Sequence, residues 1–512
     1  MYIKYLFAVV VCGLYTTITP MFLTRWLSRI RRRVIAPKHP LPITTVPTCG
    51  DISITEPKQF LGMIGPNLYP HTVKTLFDLF TGDGIIQGIF INGENITFAT
   101  HLISTEKLAY EKTASTKRGN VAMTIFLYFL YLLGIHKTNN LGTANTSILP
   151  LSSPVDENTT AAYALFERDS PYLLHFYHNT STISTIGRMK TPYCLSGHSK
   201  KINTSDGPAI ETIDYHIFSK KVIYYTITEN LTDILSEIHI KTKYIPVIHD
   251  FLSTKDHIII IDSPLVFDFS KLILGKLPIR FDKTLPTFIH MVHKNTGHIT
   301  TYSVPSAFYV FHFAKYIESY NQIEIYAPLY DYIDFDTIDI SGKYRKIVID
   351  RQHKTAYVCN NMQTEKYNLD FPVEDSLGNI ILRNIKKRKI NGFAKVNDNM
   401  DITQKWMFSD IFFCGEPLAI RLNNKNGLMA FGNMNITQLD APGRFAFHQT
   451  EWFTNNDTLS FDDNPSPDKS RTLPVVLAKG GVILLNMDDG TVIKYLLSNN
   501  LTMGFHTISI IR

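Results

Sequence analysis

Short apolar runs alternate with turns through most of this chain. VIYYTIT (Val222 to Thr228), HIIIID from His257, KIVID from Lys346 and VVLAKGGVILLNMDDGTVI from Val475 have the length and the β-branched, aromatic composition of strands. Gly and Asp punctuate them, as at Asp488 to Gly490. No long helical period intervenes, so the pattern predicts an all-β sandwich, barrel or propeller, and no WD-type repeat chooses among these.

Two segments break the pattern. Tyr5 to Leu23 is almost wholly apolar, and its nineteen residues just suffice to cross a bilayer as a helix. Arg25, Arg29, Arg31, Arg32 and Arg33 follow it. A cleavable signal peptide has the reverse order of charge, and an Arg cluster on this side keeps the bulk of the chain in the cytosol. Pro20 and several Thr weaken the span, so a buried or interfacial helix is the alternative reading. Residues 1–36 are therefore expected to anchor the protein to a membrane, residues 37–59 to form a polar, Pro-rich linker, and residues 60–512 to form the main β domain. Met123 to Ile135, MTIFLYFLYLLGI, is too short to span; it predicts a buried helix or a dip into one leaflet.

Composition narrows the function. Of 512 residues, 44% are hydrophobic and 19% charged, which reads as globular. A net charge of +6 is modest, and no basic stretch is interleaved with aromatics, which argues against nucleic acid as a partner. The run Lys386 to Lys389 reads as a solvated turn or strand edge rather than an import signal. Five cysteines, Cys12, Cys49, Cys194, Cys359 and Cys414, have no regular spacing and predict free thiols in a reducing compartment. Nine N-x-S/T sequons argue the other way, but an Asn- and Thr-rich chain produces such matches by composition.

Chemistry enters with the histidines. There are 18, and one alone says little. His249 (PVIHDF), His312 (YVFHFA) and His506 (MGFHTI) each place a polar ring in an apolar run, where burial demands a partner. No HExxH or other short metal spacing exists, so any metal site must be assembled from distant segments.

An ordered series of segments resembles the carotenoid cleavage oxygenase family, which includes the retinoid isomerohydrolase of vision. IGPNLYP at Ile64, FDLFTGDGIIQGIFI from Phe77, GTANTSIL at Gly142, AYALFERDSPY at Ala162, LSGHSKKIN at Leu195, IHDFLSTKDHIIIIDSPLVFD at Ile248, YVFHFAKYIE at Tyr309, NLDFP at Asn368 and MGFH at Met503 follow the family's order. The resemblance implies a seven-bladed β-propeller with a few helices capping a tunnel face. It implies Fe(2+) on His198, His249, His312 and His506. It further implies that Glu167, Asp370 and Glu451 accept a ring N–H from His249, His312 and His506 in turn. His175 and His178 are set aside as first ligand because they precede TIGRMK, which in the family lies before the first ligand. The implied reaction is oxidative cleavage of a conjugated C=C bond of a carotenoid or apocarotenoid by O2, with an apolar polyene and a membrane surface as partners. The alternatives are isomerisation with ester cleavage, as in the isomerohydrolase, and a non-catalytic propeller carrying an apolar lipid.

Three departures stand out. Asp370 occupies the place of a Glu, one methylene shorter, so that it is expected to reach its histidine only through water or a backbone shift unless Glu374 substitutes. Ser199 replaces a Pro, and Thr507 replaces the terminal glycine. No GxSxG elbow supports a hydrolase.

Overall fold

The computed structural model describes residues 41–42, 59–69, 73, 75–92, 95–109, 142–273, 276–386, 389–422, 425–435, 478–497 and 500–511. They form a seven-bladed β-propeller, each blade an antiparallel sheet. Blade 1 carries Gln59–Pro66, Gly84–Asn92 and Asn95–Leu102, and His506–Ile511 pairs onto Gln59–Pro66 to complete it. Blade 2 runs from Ser147–Pro150 to Thr182–Arg188, blade 3 from Lys200–Thr204 to Ile234–Lys241, and blade 4 from Leu252–Ser253 to Ile299–Val304. Blade 5 runs from Tyr309–Val310 and Lys315–Glu318 to Thr355–Cys359. Blade 6, Leu369–Glu374 to Ile402–Met407, joins blade 7 through the pair Ile390 and Phe413. Blade 7 comprises Ile411–Phe413, Leu418–Leu422, Lys425–Asn435, Ala478–Asn486 and Val492–Leu496.

The continuous apolar runs have a simple cause. A blade is covered on both faces, so alternate residues of one strand face different neighbours. In His257–Asp262, Ile258 and Ile260 pack with Val222 and Tyr224 of blade 3. Ile259 and Ile261 pack with Ile323, Ile325 and Ile347 of blade 5. Seven such clusters lie among the described residues, one between each adjacent pair of blades, including blades 7 and 1. The ring thus closes through packing, and no sheet edge carries the stability alone.

Helix is scarce among the described residues: Leu76–Thr81, the single turn at 106–109, Ser270–Ile273 and the short 3-10 turn Thr364–Lys366. Thr75 caps the first of these, its hydroxyl accepting from the Asp78 amide at 3.0 Å. Cys194 and Cys414 are buried free thiols, and Cys359 is free and half-buried; Cys12 and Cys49 lie outside the described residues. Lys386 is solvent-exposed at a hairpin end. Residues 1–36, most of the linker at 37–59 and the Met123 to Ile135 segment also lie outside the described residues. No helix among the described residues is long and apolar enough to cross a membrane.

Candidate metal centre

Four blades bring one histidine each to a common point. His198 lies in the turn before Lys200–Thr204 and His249 in the loop before Leu252–Ser253. His312 lies between Tyr309–Val310 and Lys315–Glu318, and His506 opens His506–Ile511. Each stands on or beside the edge strand of its sheet, so the meeting of these edges assembles the cluster. One ligand atom from each histidine can be chosen so that all four lie within 4.8 Å of one another. The His198 ring has the His506, His249 and His312 rings at 4.5, 4.6 and 5.3 Å between centroids.

Three carboxylates decide which nitrogens face inward. His249 Nδ1 pairs with Glu167 Oε1. His312 Nδ1 donates to Asp370 Oδ1 at 2.8 Å, and His506 Nδ1 donates to Glu416 Oε2 at 3.1 Å. Their Nε2 atoms are thereby left facing the cluster. His312 Nε2 and His506 Nε2 are buried and have no hydrogen-bond partner. His249 Nε2 faces His198 Nε2 at 3.0 Å. Two nitrogens at roughly 2.1 Å from one cation and at right angles to each other stand about 3.0 Å apart. The orphaned nitrogens, the convergence and the held tautomers fit a metal with imidazole ligands.

Electrostatics favour the neutral, ligating form for His198 and His312. Burial holds the His198 pKa well below its ordinary value, helped by the neighbouring histidines. Burial also lowers that of His312, outweighing the pull of Asp370. For His249 burial works in the same direction, but Glu167 overrides it and the net shift is upward. Burial would raise the Asp370 pKa; His312, Arg383 and the Tyr330 hydroxyl instead hold it at about 2.

Asp370 reaches His312 directly, with neither water nor a substitute; of the expected routes, the backbone shift is the one the geometry fits. Its Oδ1 also accepts the Phe371 amide at 2.7 Å, and its Oδ2 accepts the Tyr330 hydroxyl. The backbone accommodates the shorter side chain: the ladder is irregular between Asp370 and Val373, and Phe371 adopts φ +56°. Glu374 is exposed and takes no part. Glu451 lies outside the described residues, and the acceptor expected there for His506 is supplied by Glu416. Glu416 also accepts the Thr507 amide and, at 3.1 Å, the Thr507 hydroxyl. The residue in the place of the terminal glycine thus helps to hold the carboxylate. A sequence signal for Glu416 existed: FFCGEPLA places one acid in an apolar run, where burial requires a partner. His178 is buried elsewhere, its Nε2 3.0 Å from the Thr160 hydroxyl, and does not join the cluster.

The remaining landmark segments hold the surroundings. In GTANT, Asn145 Nδ2 donates to the Leu79 and Gly82 carbonyls at 3.0 and 2.8 Å. Thr143 Oγ1 donates to the Phe80 carbonyl at 3.2 Å. These bonds satisfy the open end of Leu76–Thr81 and fix Phe80, whose ring lies 6.1 Å from His249. Gly84 needs to be glycine, since a Cβ there would stand 2.2 Å from the Ala144 carbonyl oxygen. Phe311 and Phe371 complete an aromatic wall, 5.4 Å from His249 and 4.3 Å from His312.

Comparison with known proteins agrees with this architecture. Residues 61–427 match the family model described as RPE65, retinal pigment epithelial membrane protein. The chain is 24% identical over 309 residues to carotenoid 9,10(9',10')-cleavage dioxygenase 1 of Phaseolus vulgaris, covering 55% of this chain and 54% of that protein. It is 23% identical over 222 residues to the chloroplastic 9-cis-epoxycarotenoid dioxygenase NCED6 of Arabidopsis thaliana, covering 40% and 37%. The matched region thus spans about half or less of the length of these curated relatives. Among solved structures, a variant of Synechocystis apocarotenoid oxygenase superposes with a TM-score of 0.64 at 16% identity, over 96% of this chain and 99% of that one. The lignostilbene dioxygenase of Pseudomonas brassicacearum does so with a TM-score of 0.64 at 14% identity, over 93% and 97%. The fold and the extent of the family match lead to one conclusion: the chain belongs to the RPE65 family of carotenoid cleavage oxygenases.

Proposed function

We propose that this protein is a non-haem Fe(II) dioxygenase that cleaves a conjugated C=C bond of a carotenoid or apocarotenoid with O2, giving two carbonyl fragments. The observation that carries the reading is the inward-facing set of four imidazoles, three of them fixed by carboxylates. His198, His249, His312 and His506 would hold the metal. Glu167, Asp370 and Glu416 would fix the tautomers of the last three and make the imidazoles better donors. Neutral ligands leave the cation its full charge, and iron so held supplies the redox chemistry that activates O2, which a closed-shell metal lacks.

The protein's own part is positioning and exclusion of water. Phe80, Phe311 and Phe371 give the site apolar walls suited to a polyene, whose cleavage needs no acid–base pair. One apolar cluster runs from Phe311 beside His249 outward to Phe267. There Phe218, Phe267 and Phe269 stack at 5.5 and 5.4 Å, with Phe218 50% and Phe269 60% exposed. Such an aromatic surface supports membrane association, as does the apolar Tyr5 to Leu23 segment, and a lipid-soluble substrate would then arrive from the bilayer.

The test is incubation of iron-loaded protein with carotenoids, apocarotenoids and stilbenes under 18O2, with mass analysis of the products. The reading predicts paired carbonyl fragments, with oxygen drawn from O2. Products of isomerisation and ester cleavage formed without O2 would replace it with the isomerohydrolase reading.

A further inference from the structure

Arg383 is a buried cation with an unusual setting. It lies on Ile380–Lys386, in direct register with Asp370 on the neighbouring strand. Its side chain is 8% exposed, and Nε and Nη1 have no hydrogen-bond partner. It makes no direct ion pair among the described residues. Its guanidinium carbon instead sits 3.2 Å from the centre of the Phe371 ring. The other face of the neighbourhood is the cluster itself: Phe371 lies 4.3 Å from the His312 ring and 5.1 Å from that of His506. Two short steps therefore separate the charge from the four histidines. Burial lowers the Arg383 pKa to about 10, opposed by Asp370, Tyr330 and Glu416, so it stays charged at neutral pH.

Burying a cation with unpaired donors is costly. A packing role alone would be served by an apolar side chain of similar length. What Arg383 adds is one positive charge beside two of the three carboxylates that hold the histidines. Glu167, Asp370 and Glu416 carry three negative charges, and Arg383 cancels one. The nearby Lys200 and Asp250 pair at 2.8 Å and cancel each other. The balance left at the cluster is two negative charges, which a dication neutralises. A trication would leave one positive charge uncompensated where little water can screen it.

We propose that Arg383 is a positioning residue for charge, which biases the metal of the proposed centre toward the divalent over the trivalent state. The inference rests on the four-histidine metal reading above. Removing the charge favours loss of one electron from the bound ion, so the Fe(III)/Fe(II) midpoint potential must fall. The cation–ring contact adds a second role, holding Phe371 at φ +56° against two histidines.

The test is a mediated anaerobic redox titration of iron-loaded wild type, Arg383→Met, Arg383→Gln and Arg383→Lys. Iron content is measured alongside, and the ligand-field spectrum of the Co(II)-loaded forms reports intact coordination. In Arg383→Met and Arg383→Gln the ratio of Fe(III) to Fe(II) affinity is expected to rise about tenfold, equivalent to a fall of about 59 mV for one electron. Arg383→Lys, which keeps the charge but not the planar stack, is expected to stay near wild type. If Met proves too disruptive to fold, the Gln and Lys variants carry the same contrast. Equal potentials in charged and neutral variants that bind iron would overturn the role of Arg383 and leave the metal reading intact. Failure of wild type to bind iron would overturn both.

Discussion

At the scale of single residues, Asp370 shows how a site absorbs a change of side-chain length. The irregular ladder and the positive φ at Phe371 bring the backbone to where the shorter acid reaches His312 at 2.8 Å. A longer acid has no slack to use, because Asp370 Oδ1 already accepts from His312 and from the Phe371 amide, and Oδ2 from the Tyr330 hydroxyl. Asp370→Glu is therefore expected to weaken iron binding. Asp370→Ala should weaken it by about 10–100-fold, the usual cost of losing the acceptor behind a ligating histidine. Anaerobic Fe(II) titration checks both, and tighter binding in the Glu variant would refute the fit. Glu416→Ala should cost a similar factor through His506, while Glu451→Ala should leave the affinity unchanged. pH adds a further check. Because the His249 pKa is raised, its Nε2 proton persists to higher pH and must leave before the metal binds. Iron affinity should rise with pH below that value, by about tenfold per unit for one proton, and level off above it. His198 and His312, both shifted down, add no such step near neutrality.

At the scale of elements, the landmark segments work through backbone contacts more than through exposed chemistry. Asn145 is the clearest case, a buried amide that closes the end of a six-residue helix. Asn145→Ala would leave those carbonyls unpaired and should cost about 1–3 kcal/mol. Hydrogen exchange at Leu76–Thr81 should rise first, and unchanged exchange there would argue that the helix is held by packing. The same reasoning explains what could be read in advance. The strands were legible because coverage on both faces makes a blade strand apolar at nearly every position, as in HIIIID. Four histidines and two of the carboxylates were legible through the ordered segments around them. Glu416 was not, since it stands 90 residues from His506 with no periodicity linking them; only its lone polarity in an apolar run marked it. For Asp370 the choice between water, a backbone shift and a substitute stayed open, because it depends on a local backbone irregularity that no spacing encodes.

At the scale of the whole molecule, the propeller explains why distant segments can share one point. Seven apolar clusters fix the blades around a ring, and the edge strands then present side chains to one another with little freedom. The direct Asp370 to His312 bond removes the main reason for reading the protein as a non-catalytic carrier. For the membrane, removal of residues 1–36 is expected to weaken liposome binding without abolishing it, because the exposed Phe218, Phe267 and Phe269 stack remains. Complete loss of binding on that truncation would leave no role for the stack. The central claim is that four imidazoles hold one iron. The most direct measurement is anaerobic Fe(II) loading followed by X-ray absorption, on wild type and on His312→Ala. The account predicts one iron per chain in wild type, with about four nitrogen scatterers near ~2.1 Å carrying the multiple-scattering signature of imidazole, and loss of the iron in the variant. Iron retained at full occupancy by His312→Ala, or no imidazole signature in wild type, would contradict it.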